Sequence, residues 1–426
     1  VAALYVIGFL SSLGFSIVLP FLVFLVTRFG GNAFALGAMG AAFWAAQFVG
    51  SSWLGPLSDR IGRKRVLVRS QLGALAAWAV FLVAVYVPRI EIADIDTGVT
   101  GALTLTVPLI LLVVSRVTDG LFNGSVSVAN AYMADATTGH ARKVGFARLG
   151  VANNLGFVLG PVIAGFLARS DAGMVAVVGL ALVLSGCAAA LARFRLPDAP
   201  PHPATPIDVA QAGGVTAHKM LGGGCAESVK RPRSRLRVVL GVPELRPLLA
   251  LYFLVFLGFS IFTAALPIHA AVDLGWSSGD LGILFTALAL SLVVTESVVL
   301  PVLARHTRDA MLGAIGSALV MIGYVAMATR FGWALYAGVV LYGIGNGLSW
   351  PSYLALLARS GPSNLQGTIQ GIGGSAGAVA SIVGTLTSGI LFEAIGAATL
   401  YVSAAALAAT TLLFVVELAR PDAGDD

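Results

Sequence analysis

Within "LLVVSRVTDGLFNGS", Leu111 to Ser125, an arginine and an aspartate stand three residues apart in an otherwise apolar run. Residues three apart on a helix share a face, so Arg116 and Asp119 can neutralise one another. Asp119 can also take up and release a proton. Desolvation favours the neutral acid and Arg116 the ionised one, so the arrival of a substrate could tip the balance. An ion pair that only ties helices together explains the same spacing. Glu296, in "LSLVVTESVVLPVL", is the other carboxylate set deep among apolar residues, as a second proton site or as the partner of a polar group. Beyond the pair, Asn123, Ser127 and Asn130 continue at helical spacing and complete one polar stripe.

Other chemistries lack their residues. His202, His269 and His306 fall in different segments, and Cys187 and Cys225 have neither a disulfide framework nor a metal-ligand spacing. No G-x-x-x-x-G-K-S/T loop is present to hold ATP. The sequence therefore predicts no enzyme, no metal and no cofactor.

The elements that carry these residues are set by composition. The chain has 426 residues, 58% hydrophobic and 11% charged, with mean hydropathy +0.91. About twelve apolar runs recur, centred near Gly14, Phe43, Trp78, Gly120, Phe157, Leu182, Phe256, Ala289, Val320, Gly343, Ala378 and Ala406. Each approaches the roughly 20 residues a helix needs to cross a bilayer. The fold class is thus an all-α membrane protein of twelve transmembrane helices, arranged as two six-helix bundles. A fourth span starting near Pro108 places Arg116 and Asp119 roughly 12–16 Å deep. Each charge there costs about 2.5–3.5 kcal/mol on insertion scales, so the stripe is expected to face a water-filled cavity between the halves rather than lipid.

Between the sixth and seventh runs lies "RLPDAPPHPATPIDVAQAGGVTAHKMLGGGCAESVKRPRSRLR", too rich in Pro, Gly and charge to build a core. The expected organisation is an N-terminal bundle at 1–194, a flexible cytoplasmic linker at 195–243, and a C-terminal bundle with a short cytoplasmic tail at 244–426. Arg60, Arg63, Lys64, Arg65, Arg142, Lys143 and the linker cations fall on one side, while Glu91, Asp94, Asp96, Asp171, Asp273 and Asp280 fall on the other. That bias predicts a multi-pass protein of the plasma (inner) membrane with both termini cytoplasmic. It also explains the net charge of +6 without nucleic acid, for which no basic stripe with interleaved aromatics exists.

The halves repeat one another. "GPLSDRIGRKR" after the second run aligns with "LPVLARHTRDA" after the eighth, setting Pro56 opposite Pro301, Arg60 opposite Arg305 and Arg63 opposite Arg308. "LGPVIAGFL" in the fifth run aligns with "VGTLTSGIL" in the eleventh through a shared G-x-x-x-x-G. Repeat-built membrane proteins are commonly transporters whose site lies where the repeats meet.

In the first of these stretches, Gly55 would let two helices approach closely, Gly62 would permit a tight reversal, and Asp59 can pair with neighbouring arginines. The stretch resembles the signature loop of the major facilitator superfamily, G-x-L-A/S-D-R-x-G-R-R/K, at Gly55, Leu57, Ser58, Asp59, Arg60, Gly62, Arg63 and Lys64. The resemblance implies a cytoplasmic latch holding the halves together in the outward-open state. The second copy, with Ala304 in place of the aspartate, departs from the pattern. Gly156, Gly160, Pro161 and Gly165 resemble the family's antiporter motif, with Ala164 replacing one glycine, although ordinary close packing accounts for the same residues. "SRVTDGLFNGS…ANAYMADAT" is similar to the fourth span of twelve-helix drug:proton antiporters, including tetracycline exporters, at Arg116, Gly120, Tyr132, Asp135 and Thr137. Asp135 is placed with the latch. Gln366, Gly367, Gln370, Gly371 and Ser381 to Gly384 extend the likeness into the eleventh span. The first span departs from it: "FLSSLG" has Ser11 where related exporters carry an acid, so proton coupling by that route is lost.

Asn154, Phe256, Asn346, Trp350 and Tyr353 complete the expected substrate cavity, with Phe253, Phe259 and Phe262 as further aromatics. The function expected is proton-coupled efflux of a small amphipathic compound or drug by alternating access, carried out by a monomer whose partners are the substrate, protons and the bilayer. Uptake of a small nutrient, movement of a lipid and non-transporting sensing share the scaffold and remain alternatives.

Overall fold

In the computed structural model, described for residues 1–98, 101–137, 139–167, 173–197, 245–359 and 366–418, every expected span centre falls inside a helix. Ten stretches of the described residues are long and apolar enough to cross a membrane; one of them, Ile372–Val416, holds two helices that meet near Gly396. With the tenth span, Gly332–Arg359, they make twelve. The expected linker lies almost wholly within 198–244, outside the described residues.

Local chemistry sets where the spans bend and end. The first span is two helices, Ala2–Ser16 and Leu19–Arg28. Pro20 lacks the N–H that would bond the carbonyl of Ser16, so the ladder breaks there. The second span, Ala33–Ile61, opens on Asn32, whose side chain accepts from the Ala35 N–H. It is separated from the third, Arg63–Tyr86, by Gly62 alone, at φ +99°. That backbone conformation favours glycine. The fourth span is also jointed, as Val107–Asn123 and Val126–Ala136. The eighth runs Ser278–Val294, passes through a π-turn at Thr295–Val299 and ends at Leu300–Leu303.

The helical fold stands as expected; the connection between the third and fourth spans adds one short hairpin to it. Glu91–Thr97 (β1) and Gly101–Thr106 (β2) pair as an antiparallel hairpin, with Asp94 opposite Thr104. Charged, alternating "EIADIDT" and threonine-rich "GALTLT" suit an exposed ribbon better than a helix. β2 also bonds back to the first span, through Thr104 N–H to the Gly30 carbonyl at 2.8 Å and Thr106 Oγ1 to the Phe29 carbonyl at 2.7 Å.

The two bundles touch at the hairpin end. Gly37 of the second span lies against Thr385 and Gly389 of the eleventh, and Gly165 of the fifth against Gly282 of the eighth (Ser278–Val294). The register that sets Pro56 opposite Pro301 also sets Gly37 opposite Gly282, and the register of the G-x-x-x-x-G segments sets Gly165 opposite Gly389. The two contacts are therefore equivalent under the repeat. Beside them, Glu393 of the eleventh span accepts from the Ala33 N–H at 2.8 Å and its carboxylate sits against Gly101 of the hairpin. The buried core has the same shape. One apolar cluster draws on both halves, including Phe21, Phe81, Phe262 and Tyr324. Toward the basic-loop end it divides into one cluster wholly in the first half, around Leu4 and Leu67, and one wholly in the second, around Leu248 and Phe414.

Candidate functional site

Where the bundles separate, a cavity of about 490 Å³ opens between the fifth, seventh, eighth and tenth spans. Its polar groups are few. Asn154 comes from the fifth span, Glu296 and Ser297 from the eighth, Asn346 and Ser349 from the tenth, and Thr263 from the seventh (Leu245–Ile268). Phe157 and Pro161 face it from the first half, and Phe256, Phe259 and Phe262 from the second. Among the described lining residues Glu296 is the one formally charged side chain; no Lys, Arg, His or Asp joins it.

Local structure explains how Glu296 gets there. A π-turn adds one residue to the helical circuit, which changes the face that the following side chains present. Thr295 anchors the turn, fully packed against Gly347 and donating to the Ser291 carbonyl at 2.7 Å. Glu296 follows it, half-buried, on the cavity side.

Aromatic rings form much of the second-half wall of the cavity. Phe256 stacks on Tyr252 at 4.8 Å between centroids, and Trp350 meets both edge-on at 5.7 Å. Tyr353 is not part of the wall: it is buried behind Trp350, stacked on it at 5.6 Å. Farther in, Phe262 stacks on Tyr342 at 4.9 Å, with Tyr324 alongside. Of the seventh-span phenylalanines, Phe256, Phe259 and Phe262 line the space and Phe253 does not.

The polar stripe of the fourth span goes elsewhere, which corrects the expectation that it faces the cavity between the halves. Asp119, Asn123 and Asn130 line a separate pocket of about 70 Å³ inside the first half, shared with Ser11, Gln71 and Asn153. Ser127 is turned to the backbone, donating to the Gly124 carbonyl at 2.9 Å. The stripe is also not one continuous face, because the helix is jointed at Gly124 and Ser125. Arg116 and Asp119, each 4% exposed, bond at 3.1 Å. The guanidinium carbon lies 4.4 Å above the Trp78 ring and 4.9 Å above that of Phe81. Its Nε and Nη2 have no hydrogen-bond partner among the described residues, so the aromatic faces supply the remaining stabilisation. Spacing alone could not reveal this, since it identifies a shared face and not the neighbour that the face meets.

At the basic loop, Arg63 is the hub. It bonds Asp59 at 2.5 Å, Asp135 at 3.0 Å and Ser58 Oγ at 2.6 Å, all in the first half. Arg60 is exposed. Gly55 does not mark a close approach as expected, because a Cβ there would meet only Ser127 Oγ, at 3.9 Å. The tight crossing of the second and fourth spans lies farther along, where Gly50 abuts Leu121 and Gly120 abuts Phe43. In the fifth span, Gly156 and Gly160 pack on Phe9 and Ser16 of the first, Pro161 faces the cavity, and Gly165 makes the contact with Gly282.

Comparison with known proteins places this geometry. The family model described as Major Facilitator Superfamily matches residues 4–385 and again 248–425. The tetracycline resistance protein, class C, of Escherichia coli is 25% identical over 390 residues, 90% of this chain and 87% of that protein. Major facilitator superfamily domain-containing protein 10 of Bos taurus is 26% identical over 391 residues, 87% of this chain and 76% of that protein. Among solved structures, the human organic anion transporter MFSD10 superposes with TM-score 0.63 at 21% identity, covering 97% of this chain and 98% of that one. A D-xylose-proton symporter does so with TM-score 0.73 at 16% identity, covering 97% and 96%. These structural likenesses show the shared fold.

Proposed function

Because the chain belongs to the Major Facilitator Superfamily, whose members move small molecules across membranes, we propose that it exports a small amphipathic compound in exchange for protons. The observation that carries this reading is the cavity between the halves, closed at the hairpin end by paired glycine contacts and holding one carboxylate, Glu296, that has no ion-pair partner among the described residues. An ionised carboxylate in an apolar space is costly, and the cost falls when it takes either a proton or a favourable ligand. A single group that holds one or the other couples the two fluxes. Proton exchange is therefore assigned to Glu296, with Arg116 and Asp119 as a structural pair inside the first half. The tetracycline resistance proteins among the relatives favour export over uptake.

The basic loop is assigned to the cytoplasmic side, following the distribution of lysine and arginine. In this state the cavity then faces inward. Rocking of the bundles would part Gly37 from Gly389 and Gly165 from Gly282 while the basic loops meet. Arg63, which joins the second-span loop to the end of the fourth span, keeps that loop shaped for the meeting.

The test is proton movement. Purified protein is placed in vesicles with a trapped pH dye under an imposed gradient, and a panel of amphipathic compounds is added. Compound-triggered proton flux that disappears in Glu296→Gln is the expected result. A flat trace for every compound with folded protein removes the antiport reading.

A further inference from the structure

The electrostatics of the cavity narrow the substrate. Three observations bear on it. The lining carries one negative charge and no positive one among the described residues. Its walls are aromatic, and ring faces carry partial negative charge that attracts cations. The space is drug-sized and mostly apolar, so a ligand must bring ring or alkyl surface of its own.

Resting on the export reading above, we infer that the substrate class is a lipophilic organic cation with delocalised or quaternary charge. Its charge lies against Glu296 and its apolar groups lie on Phe256, Trp350 and Phe262. An organic anion of the same shape is rejected, because its charge would meet the carboxylate with no cation to offset it. Proton and substrate then exclude each other: protonated Glu296 gives up its attraction for the cation, and a bound cation keeps Glu296 ionised. Among the described lining residues the other titratable groups are the hydroxyls of Tyr324 and Tyr342. Val151 and Leu155, which line the cavity and are exposed, give such an amphiphile an apolar wall on the fifth-span side.

Tetraphenylphosphonium and tetraphenylborate provide the test, since they match in shape and differ in the sign of their charge. Binding of each is measured on the full-length purified protein by calorimetry and by quenching of tryptophan fluorescence at several pH values. The expected result is binding of the phosphonium that weakens as pH falls, at least tenfold weaker binding in Glu296→Gln, retention in Glu296→Asp, and no competing binding of the borate. Glu296→Asp guards against a folding defect, because it keeps the charge. Equal or tighter binding of the borate, or full phosphonium affinity in a folded Glu296→Gln, overturns the inference. The export reading fails separately: Glu296-dependent phosphonium binding without gradient-driven flux leaves the cation site standing and removes export. Proton-coupled flux of other compounds with no phosphonium binding does the reverse.

Discussion

Gly165 and Gly282 meet across the two halves with no side chain between them, and the repeat carries this contact onto Gly37 and Gly389. The hairpin end of the cavity is thus closed twice by the same device. Backbones that approach this closely interlock by van der Waals contact, which is the main attraction available to helices in lipid.

Closure should therefore respond to single side chains at these positions. Gly282→Val is expected to destabilise the closed hairpin end by about 1–3 kcal/mol, the usual cost of overpacking a tight contact. Spin-label distances across that end should lengthen. Gly179→Ala, where an added Cβ meets nothing within 4 Å, is the control and should stay within about 0.5 kcal/mol. Unchanged distances in Gly282→Val would remove the closing role.

Removing one partner of the buried pair should harm folding before it harms coupling. Asp119→Asn leaves Arg116 charged between Trp78 and Phe81, at an expected loss of about 3–5 kcal/mol of stability. Replacing both residues with apolar ones of similar size should recover much of it. Thermal unfolding in detergent reads the difference. A fully stable Asp119→Asn that lacks proton flux would return the proton site to Asp119.

Glu393 ties the eleventh span to the start of the second and to the hairpin. Its carboxylate is solvent-exposed, so the bond to the Ala33 N–H should contribute about 1 kcal/mol. Glu393→Ala is expected to shift the population modestly toward opening at that end, visible as faster labelling of a cysteine placed at Ala35. If labelling does not change, the bond has no part in gating.

Arg63 holds three partners with a planar fork, which an ammonium group cannot reproduce. Arg63→Lys should therefore slow transport severalfold while leaving ligand binding in the cavity intact. Equal loss of binding and transport would point to a general folding defect instead.

Much of the fold is legible in the order of residues because a bilayer imposes one requirement everywhere: every backbone polar group must be satisfied within its own helix. Apolar runs of spanning length follow from that rule, the reversal at Gly62 from the positive φ that glycine tolerates, and the repeat is legible by aligning the halves. The hairpin is less legible in the sequence, since short alternating strands between helices signal weakly and their placement is set by contacts with Gly30 and Asn32.

The site divides along the same line. Glu296, Asn154, Asn346, Phe256 and Trp350 could be named as candidates by type and position, as could Arg116 and Asp119. What the sequence by itself determined was which residues share a face within an unbroken helical run, as Arg116 and Asp119 do, because that follows from the fixed rise and turn of a helix. Tertiary structure alone decided which neighbour each face meets: the Arg116 face turns to Trp78 and Phe81 inside one bundle, and a π-turn brings Glu296 to the space between bundles. That choice depends on packing between distant segments, at Gly37 with Gly389 and Gly165 with Gly282, and no local pattern encodes it.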